Sequence, residues 1–328
     1  MSSLIIDLAY SALKVKSTLS EFSFANAIKI VSNVQALKDD KITVYDFEGK
    51  NLVIAEPTVS GEILYKRDFD FLVEYAPVLV AHALRTHRKK QAVDHPGVPP
   101  VHFTHLKIGI PFENCKNGSR AKLIERLSRF IVDGREHRFE VEALPQGVGV
   151  FLEYLHEAKP TDRTESGFVL DFGFNTVLLV GYQDLKPRHA ESEQLDHYGL
   201  SRVIERLAGD LQRQFSLSLP LIEVNRIFRD RYLDDCGERH DISDLCDKAV
   251  SEYLAQIFLE LFDKKADKFR KVQKLVIGGG GAYYITPASI PERYRKMVHI
   301  MPNQPEFSNV RGFMRLEDAA KRAEQQAV

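Results

Sequence analysis

Residues 168–176 read FVLDFGFNT, and VLLVGY follows at once. An apolar run ends in Asp171, Gly173 lets the backbone turn back, and Thr176 opens a second apolar run. A strand feeding a tight turn and a second strand presents backbone N–H groups and one carboxylate at the turn, a place to hold a phosphate and its magnesium. Taken alone, the nine residues read more readily as an ordinary hairpin. A second copy separates the two readings. Residues 4–14, LIIDLAYSALK, give an apolar strand, Asp7, the small residue Ala9, then Ser11 and Lys14. Asp7 and Asp171 stand half of the 328-residue chain apart, so the sequence reads as two halves that each open on the same strand, acid and turn. Two such turns facing each other would grip a polyphosphate from both sides.

Composition sets the class. Hydrophobic residues at 44% and charged residues at 28% describe an ordinary globular chain, long enough for two domains. With 45 basic and 46 acidic residues the net charge is −1, which offers neither nucleic acid nor a membrane a complementary surface. The three scattered cysteines, Cys115, Cys236 and Cys246, make neither a disulfide framework nor a zinc site, and a reducing cytoplasm is the compartment they suggest. The N-terminus carries Asp7 in its first strand and no basic lead, unlike a signal peptide. The longest apolar segment, residues 71–84, is interrupted by Glu74 and too short to span a bilayer; it reads as a core helix started or kinked at Pro77.

In chain order, residues 4–19 predict strand, turn and strand. ITVYDFEGKNLVIAE, residues 42–56, predicts a hairpin about Glu48-Gly49-Lys50. Residues 86–105 lose periodicity and gather Pro, Gly, Lys and His, the pattern of a solvated loop. His82, His87, His95, His102 and His105 fall in or near it at spacings that match no metal motif. A buried strand is expected at 106–112, an amphipathic helix over 120–131, a strand pair around HRFEVEAL, and a turn opening a helix in PQGVGVFLEYLHEA, residues 145–158. Polar KPTDRTESG, residues 159–167, is the natural boundary between the halves. Beyond the second turn, residues 186–198 suggest loop and strand. Leu200, Val203, Ile204, Leu207 and Leu211 mark one helix, and similar periodicity runs through 221–235 and 242–266. In KLVIGGGGAYYI, Gly278, Gly279, Gly280 and Gly281 follow a short strand and allow close approach of a flat ligand; a flexible turn is the plainer alternative. The dinucleotide signature Gly-x-Gly-x-x-Gly is absent.

The ordered set IIDLAYSALK, ALPQGVG, VLDFGFNT, VIGGGGAYYI and PEFSNVRGFMRL resembles the actin-like ATPases, and within them the ParM-like plasmid-segregation actins, over nearly the whole chain. FSNVRGF, residues 307–313, is the more specific part, although as residues it reads as a core-packing turn with Gly312 for geometry and Phe307 and Phe313 for burial. The resemblance implies an α/β, actin-like two-domain fold: duplicated ribonuclease H-like mixed sheets flanked by helices, with a nucleotide cleft between. The implied divisions are 1–160 with an outer insertion at 20–104, 161–313 with an outer subdomain at 201–271, and a tail helix, 314–328, returning to the first domain.

By the same resemblance, Asp7, Ser11 and Lys14 stand in a phosphate loop, with Ala9 where the family usually has Gly. Asp171, Gly173, Asn175 and Thr176 form the second loop, Gly278 to Gly281 pass beneath the adenine and α-phosphate, and Gly199 borders the cleft. Asp7 and Asp171 would hold Mg2+ mostly through water. Gln146, with Asp171, is the catalytic candidate, orienting water toward the γ-phosphate; capping of the next helix is an equal reading of Gln146. The implied activity is hydrolysis of ATP, or GTP, coupled to polymerisation into cytoplasmic filaments. These would segregate or position DNA through a DNA-bound adaptor, without direct contact to nucleic acid or membrane. A non-catalytic nucleotide-binding scaffold and a small-molecule kinase of the same superfamily are the alternatives.

Overall fold

The computed structural model describes residues 2–32, 34, 37, 42–55, 62–64, 66, 68–116 and 118–326. Glu56 and the last two residues of the expected tail helix lie outside the described residues. The chain divides into two compact units, residues 1–159 with 307–328 and residues 160–306.

The first unit begins with a three-strand meander: β1 (Ser3–Asp7), β2 (Ala12–Lys16) and β3 (Glu21–Ala25). Next come β4 (Ile28–Ile30), the hairpin β5 (Val44–Phe47) and β6 (Lys50–Ile54), and β7 (Glu62–Leu64), which form a separate four-stranded sheet. Helix α1 (Phe69–Asp94) starts where the Asp68 side chain accepts a hydrogen bond from the Phe71 N–H at 2.7 Å. Strand β8 (His105–Ile110), α2 (Phe112–Lys116), α3 (Ser119–Ser128), the hairpin β9 (Arg129–Val132) and β10 (Arg135–Arg138), β11 (Glu140–Pro145) and α4 (Val148–Ala158) follow. The main sheet has the order β11-β8-β1-β2-β3, with β8 parallel to both β1 and β11.

The second unit repeats that topology. Its meander is β12 (Gly167–Phe172), β13 (Thr176–Gln183) and β14 (Lys186–Asp196). Helices α5 (Ser201–Phe215) and α6 (Leu221–Asp230), the hairpin β15 (Tyr232–Asp235) and β16 (Glu238–Asp241), α7 (Ser243–Phe262) and α8 (Ala266–Phe269) lead to β17 (Lys274–Gly278) and β18 (Val298–Ile300). The sheet order is β14-β13-β12-β17-β18, again with the fourth and fifth strands parallel to the first. Helix α9 (Ser308–Gln326) belongs to the first unit.

Several expectations are corrected. Helix α1 runs on to Asp94 through the stretch read as loop, and Pro77 sits inside it rather than at its start. Its inward face continues past the apolar residues as His87 and Gln91, which find hydrogen-bond partners outside the helix. His87 Nε2 lies 2.9 Å from Ser17 Oγ, and the Gln91 amide donates to Pro99 O at 2.7 Å and accepts from Val101 N at 3.2 Å. The helix expected to reach Ile131 ends at Ser128 because residues 129–132 pair with β10; β11 joins β8 instead, so HRFEVEAL is shared between two sheets. Likewise residues 232–235 leave the helical pattern to pair with β16. FSNVRGF is not a turn but the entry of α9, and residues 307–313 join the first unit ahead of the expected return at 314, since Phe307, Val310 and Phe313 are buried with Ile5. No helix among the described residues is long and apolar enough to cross a membrane.

Helices α4 and α9 meet through Gly149 and Gly312, where a Cβ on Gly312 would overlap the Gly149 carbonyl oxygen. Beside that contact Glu153, with 4% of its side chain exposed, takes two hydrogen bonds from Arg315, at 3.0 and 3.4 Å. Glu157, one turn on, has its carboxyl pushed upward by burial and by the Glu153 charge, against the pull of Arg311 and Arg315. Removing the guanidinium leaves a buried carboxylate without its hydrogen-bonding partner, with the charge of Arg311 as its remaining support. Arg315→Ala is therefore expected to cost about 3 kcal/mol, read as a drop of roughly 6 °C or more in thermal midpoint.

Candidate functional site

At the end of β1, Asp7 is 4% exposed. Burial raises its pKa above 3.8, against the charge of Lys14 and hydrogen bonds from Gln146 and Asn309. Lys14 is its cross-strand partner in the β1–β2 register. Gln146 arrives from the end of β11 because its own N–H donates to Ile110 O at 2.9 Å. Its side-chain amide then donates to Asp7 Oδ1 at 2.5 Å and to Leu8 O at 3.3 Å. Both donors of that amide are accounted for, and Oε1 remains as its acceptor. The capping alternative for Gln146 finds no support at α4, whose first residues have Gly147 at the cap and no side-chain capping bond.

The backbone between Asp7 and Ser11 is braced from outside. Leu8 N–H donates to Gly109 O at 3.0 Å, Asn26 Nδ2 to Ala9 O at 3.1 Å, and Asn26 N–H to Ser11 O at 2.9 Å. Ala9 is not among the described residues with a left-handed φ, so its methyl is accommodated without backbone strain. Asn26 Oδ1 is buried and has no hydrogen-bond partner among the described residues.

Two residues of this site were not singled out in the sequence. Asn26 carries no spacing signal. Asn309 does lie in the FSNVRGF segment: its Oδ1 accepts the Gly147 N–H at 2.9 Å while its side chain also hydrogen bonds Asp7. It thus ties the start of α9 to both the carboxylate and the turn after Gln146.

The second unit holds the other group of expected residues. Asp171, 5% exposed, lies next to last in β12, opposite Leu178 on β13 and Gly278 on β17. Gly173 N–H donates to Thr176 O at 2.9 Å to close the turn. The next helix is seated on that turn: Gly199 N–H donates to Asn175 O at 3.2 Å, Leu200 N–H to Gly173 O at 3.1 Å and Ser201 N–H to Phe174 O at 2.7 Å. Asn175 and Thr176 are buried, and Asn175 Oδ1 has no hydrogen-bond partner among the described residues. Gly279, at φ +78°, bends the chain out of β17 into the 3-10 turn Gly280–Tyr284. A Cβ there would overlap Asp171 Oδ1, and one on Gly281 would stand 2.6 Å from Phe172 Cβ. Gly280 faces open space, with only Glu306 Cβ at 3.8 Å. So the run packs on two of its members and leaves its middle open to a ligand.

Within the first unit, then, Asp7, Ala9, Ser11, Lys14 and Gln146 gather at one turn; within the second, Asp171, Gly173, Asn175, Thr176, Gly199 and Gly278 to Gly281 gather at another. The unpartnered side-chain oxygen of Asn175 fits a ligand that offers a donor, and the open space at Gly280 leaves room for one. Among the described residues no three His, Cys, Asp or Glu side chains cluster as a metal site. Magnesium bound by phosphates and water needs only one or two carboxylates, and each turn offers one. Three of the histidines that drew attention are structural: besides His87, His82 Nδ1 lies 3.1 Å from the Tyr45 hydroxyl and His95 Nε2 3.1 Å from Leu19 O.

No family model and no curated protein matches the sequence. Solved structures do. The archaeal actin homolog Ta0583 superposes with a TM-score of 0.77 at 18% identity, over 98% of this chain and 100% of that one, and its complex with ADP scores 0.73. A non-polymerisable quadruple mutant of pCBH ParM scores 0.75 at 17% identity, over 97% and 99%. ParM from Bacillus thuringiensis with ATP scores 0.63 at 14% identity, over 98% and 99%. The chain has the actin-like fold: two five-stranded mixed sheets flanked by helices.

Proposed function

We propose that this chain binds and hydrolyses ATP, with GTP the alternative nucleotide, and that nucleotide-dependent self-association builds a filament that segregates or positions DNA. The observation that carries the reading is the repeat of strand, buried carboxylate and turn, once in each unit, on sheets of identical topology. Structures similar to this chain carry ADP or ATP, and one is a 15-stranded ParM filament from Clostridium botulinum. Asp7 and Asp171 serve the same nucleotide and its magnesium. A magnesium ion held there supplies charge neutralisation for the departing phosphate. Ser11, Lys14 and the braced turn about Ala9 contact phosphate, as do Gly173, Asn175 and Thr176, with Gly278 to Gly281 serving the base and α-phosphate and Gly199 beside them.

Gln146 is fixed through its nitrogen by Asp7 and Leu8 O, which leaves Oε1 to accept a hydrogen bond from water and so orient it. Gln146→Ala is expected to slow phosphate release about 100-fold with nucleotide binding kept. A head-to-tail contact that does not close on itself gives filaments rather than rings. A net charge of −1 calls for a DNA-bound adaptor rather than direct DNA contact.

Pelleting and electron microscopy with ATP and magnesium, against nucleotide-free controls, test the filament; absence of polymer at high protein concentration would sink it. The commitment of Gln146 to Asp7 also fits a nucleotide-binding scaffold without turnover, and negligible phosphate release, unchanged by Gln146→Ala, would decide for that reading.

A further inference from the structure

A second site stands apart from both turns. In the first unit a cavity of about 270 Å³ opens between α1, β5 and the β9–β10 hairpin. Arg85 and Arg88, one helical turn apart on α1, line it together with Arg135 and His137 from β10, Tyr45 from β5 and Asp133 from the hairpin turn. All three arginines are exposed, and none has an ion-pair or hydrogen-bond partner among the described residues. Their neighbours behave differently. Arg129 and Arg138 both bind Glu136, at 2.5 and 2.8 Å, and Arg126 binds Glu48 at 2.6 Å. Asp133, the carboxylate of the cavity, is already in use: its Oδ1 accepts the Asp46 N–H at 2.7 Å and pins the turn to β5.

The remainder of the lining is apolar, from Ala81, Leu84 and Val132. Three guanidiniums around such a floor, in a chain whose charges otherwise balance, produce a local positive potential. Neighbouring groups register it. The imidazole of His137 is held below its usual range by burial and then by Arg135 and Arg88; that of His82 is pushed down to about 4 by burial, with Lys89 and Arg85 adding to the effect.

We infer that this cavity is a binding site for a small phosphate-bearing anion, with Arg85, Arg88 and Arg135 as its ligands. Guanidinium groups donate paired N–H bonds that match phosphate oxygens, and the cavity volume suits a phosphate or diphosphate group. A nucleic-acid backbone offers the same chemistry, but the balanced charge of the chain and the small volume of the cavity favour the small ligand.

The test is a calorimetric titration of the whole chain with inorganic diphosphate under saturating ADP, so that the nucleotide site is already filled. One equivalent is expected to bind, about tenfold more weakly in Arg88→Gln and weaker again in Arg88→Gln/Arg135→Gln, with ADP affinity unchanged and Arg88→Lys recovering part of the loss. Thermal midpoints close to wild type, expected of exposed side chains, show that the variants are folded. Undiminished diphosphate binding in the double variant, or none by wild type once ADP saturates, overturns the assignment. A parallel arm with a short DNA duplex is expected to show no binding, and arginine-dependent duplex binding would overturn the small-anion reading.

Discussion

Asp7→Asn is expected to reduce ATP hydrolysis by about 100-fold or more and to abolish nucleotide-dependent assembly, measured by phosphate release and by pelleting. Asp171→Asn should do the same from the other unit. The first substitution has a second readout that needs no nucleotide. Burial holds the folded-state pKa of Asp7 above 3.8, so the folded chain keeps this proton to a higher pH than the unfolded chain does. The stability that comes from the protonated carboxyl is fully present below 3.8 and is lost as pH rises through the raised folded value. The thermal midpoint of wild type relative to Asp7→Asn should therefore shift downward as pH rises across that interval. Asparagine does not titrate, so any fixed offset from its altered hydrogen bonds to Gln146 and Asn309 cancels from the slope. A flat difference would remove the buried carboxylate from the account, whatever the activity shows.

The second large effect lies away from the chemistry. Gly312→Val is expected to cost about 3 kcal/mol or more, because the added carbons collide with backbone rather than with a side chain that could rotate aside. The first of them would already overlap the Gly149 carbonyl oxygen. Gly149→Ala meets the same obstacle from the other helix, with its Cβ 2.5 Å from Asn309 O and 2.6 Å from Asn309 Cα. Either change forces α4 and α9 apart. Once they have separated, the second substitution meets less resistance, so the double variant should be clearly less destabilised than the sum of the two singles. Strict additivity in denaturant unfolding would mean that the helices do not share this contact. Asn309 also holds the Gly147 N–H and Asp7, so Gly149→Ala is further expected to weaken nucleotide affinity, a link that Arg315→Ala, farther along α9, should show less.

What was legible in the sequence was local. Strand, acid and turn lie within nine consecutive residues at 168–176 and eleven at 4–14, and the hairpin at Glu48-Gly49 and the bend at Gly278 to Gly281 are equally short in range. Nearest-neighbour sterics and alternating apolar residues decide such features before the chain folds. Where partners lie far apart, the sequence pattern failed. Residues 86–94 look like loop because the inward side chains are His87 and Gln91, and only Ser17, Pro99 and Val101, brought close by folding, make their burial affordable. Residues 129–132 and 232–235 follow a helical rhythm yet become strands once a hairpin partner takes their backbone hydrogen bonds.

The two candidate turns divide in the same way. Asp7, Asp171 and the glycines announce themselves by spacing, as does the repeat of strand, acid and turn in the two halves. That Gln146 donates to Asp7 across 139 positions, and that Asn309 reaches Gly147 across 162, follows from no spacing at all. Those contacts exist because β11 runs parallel to β8, and because Gly149 and Gly312 let α9 lie against α4. The sequence by itself determined which residues could carry charge and bend the chain. Tertiary structure decided which of them meet, since a buried polar group is tolerated only where the fold delivers its partner.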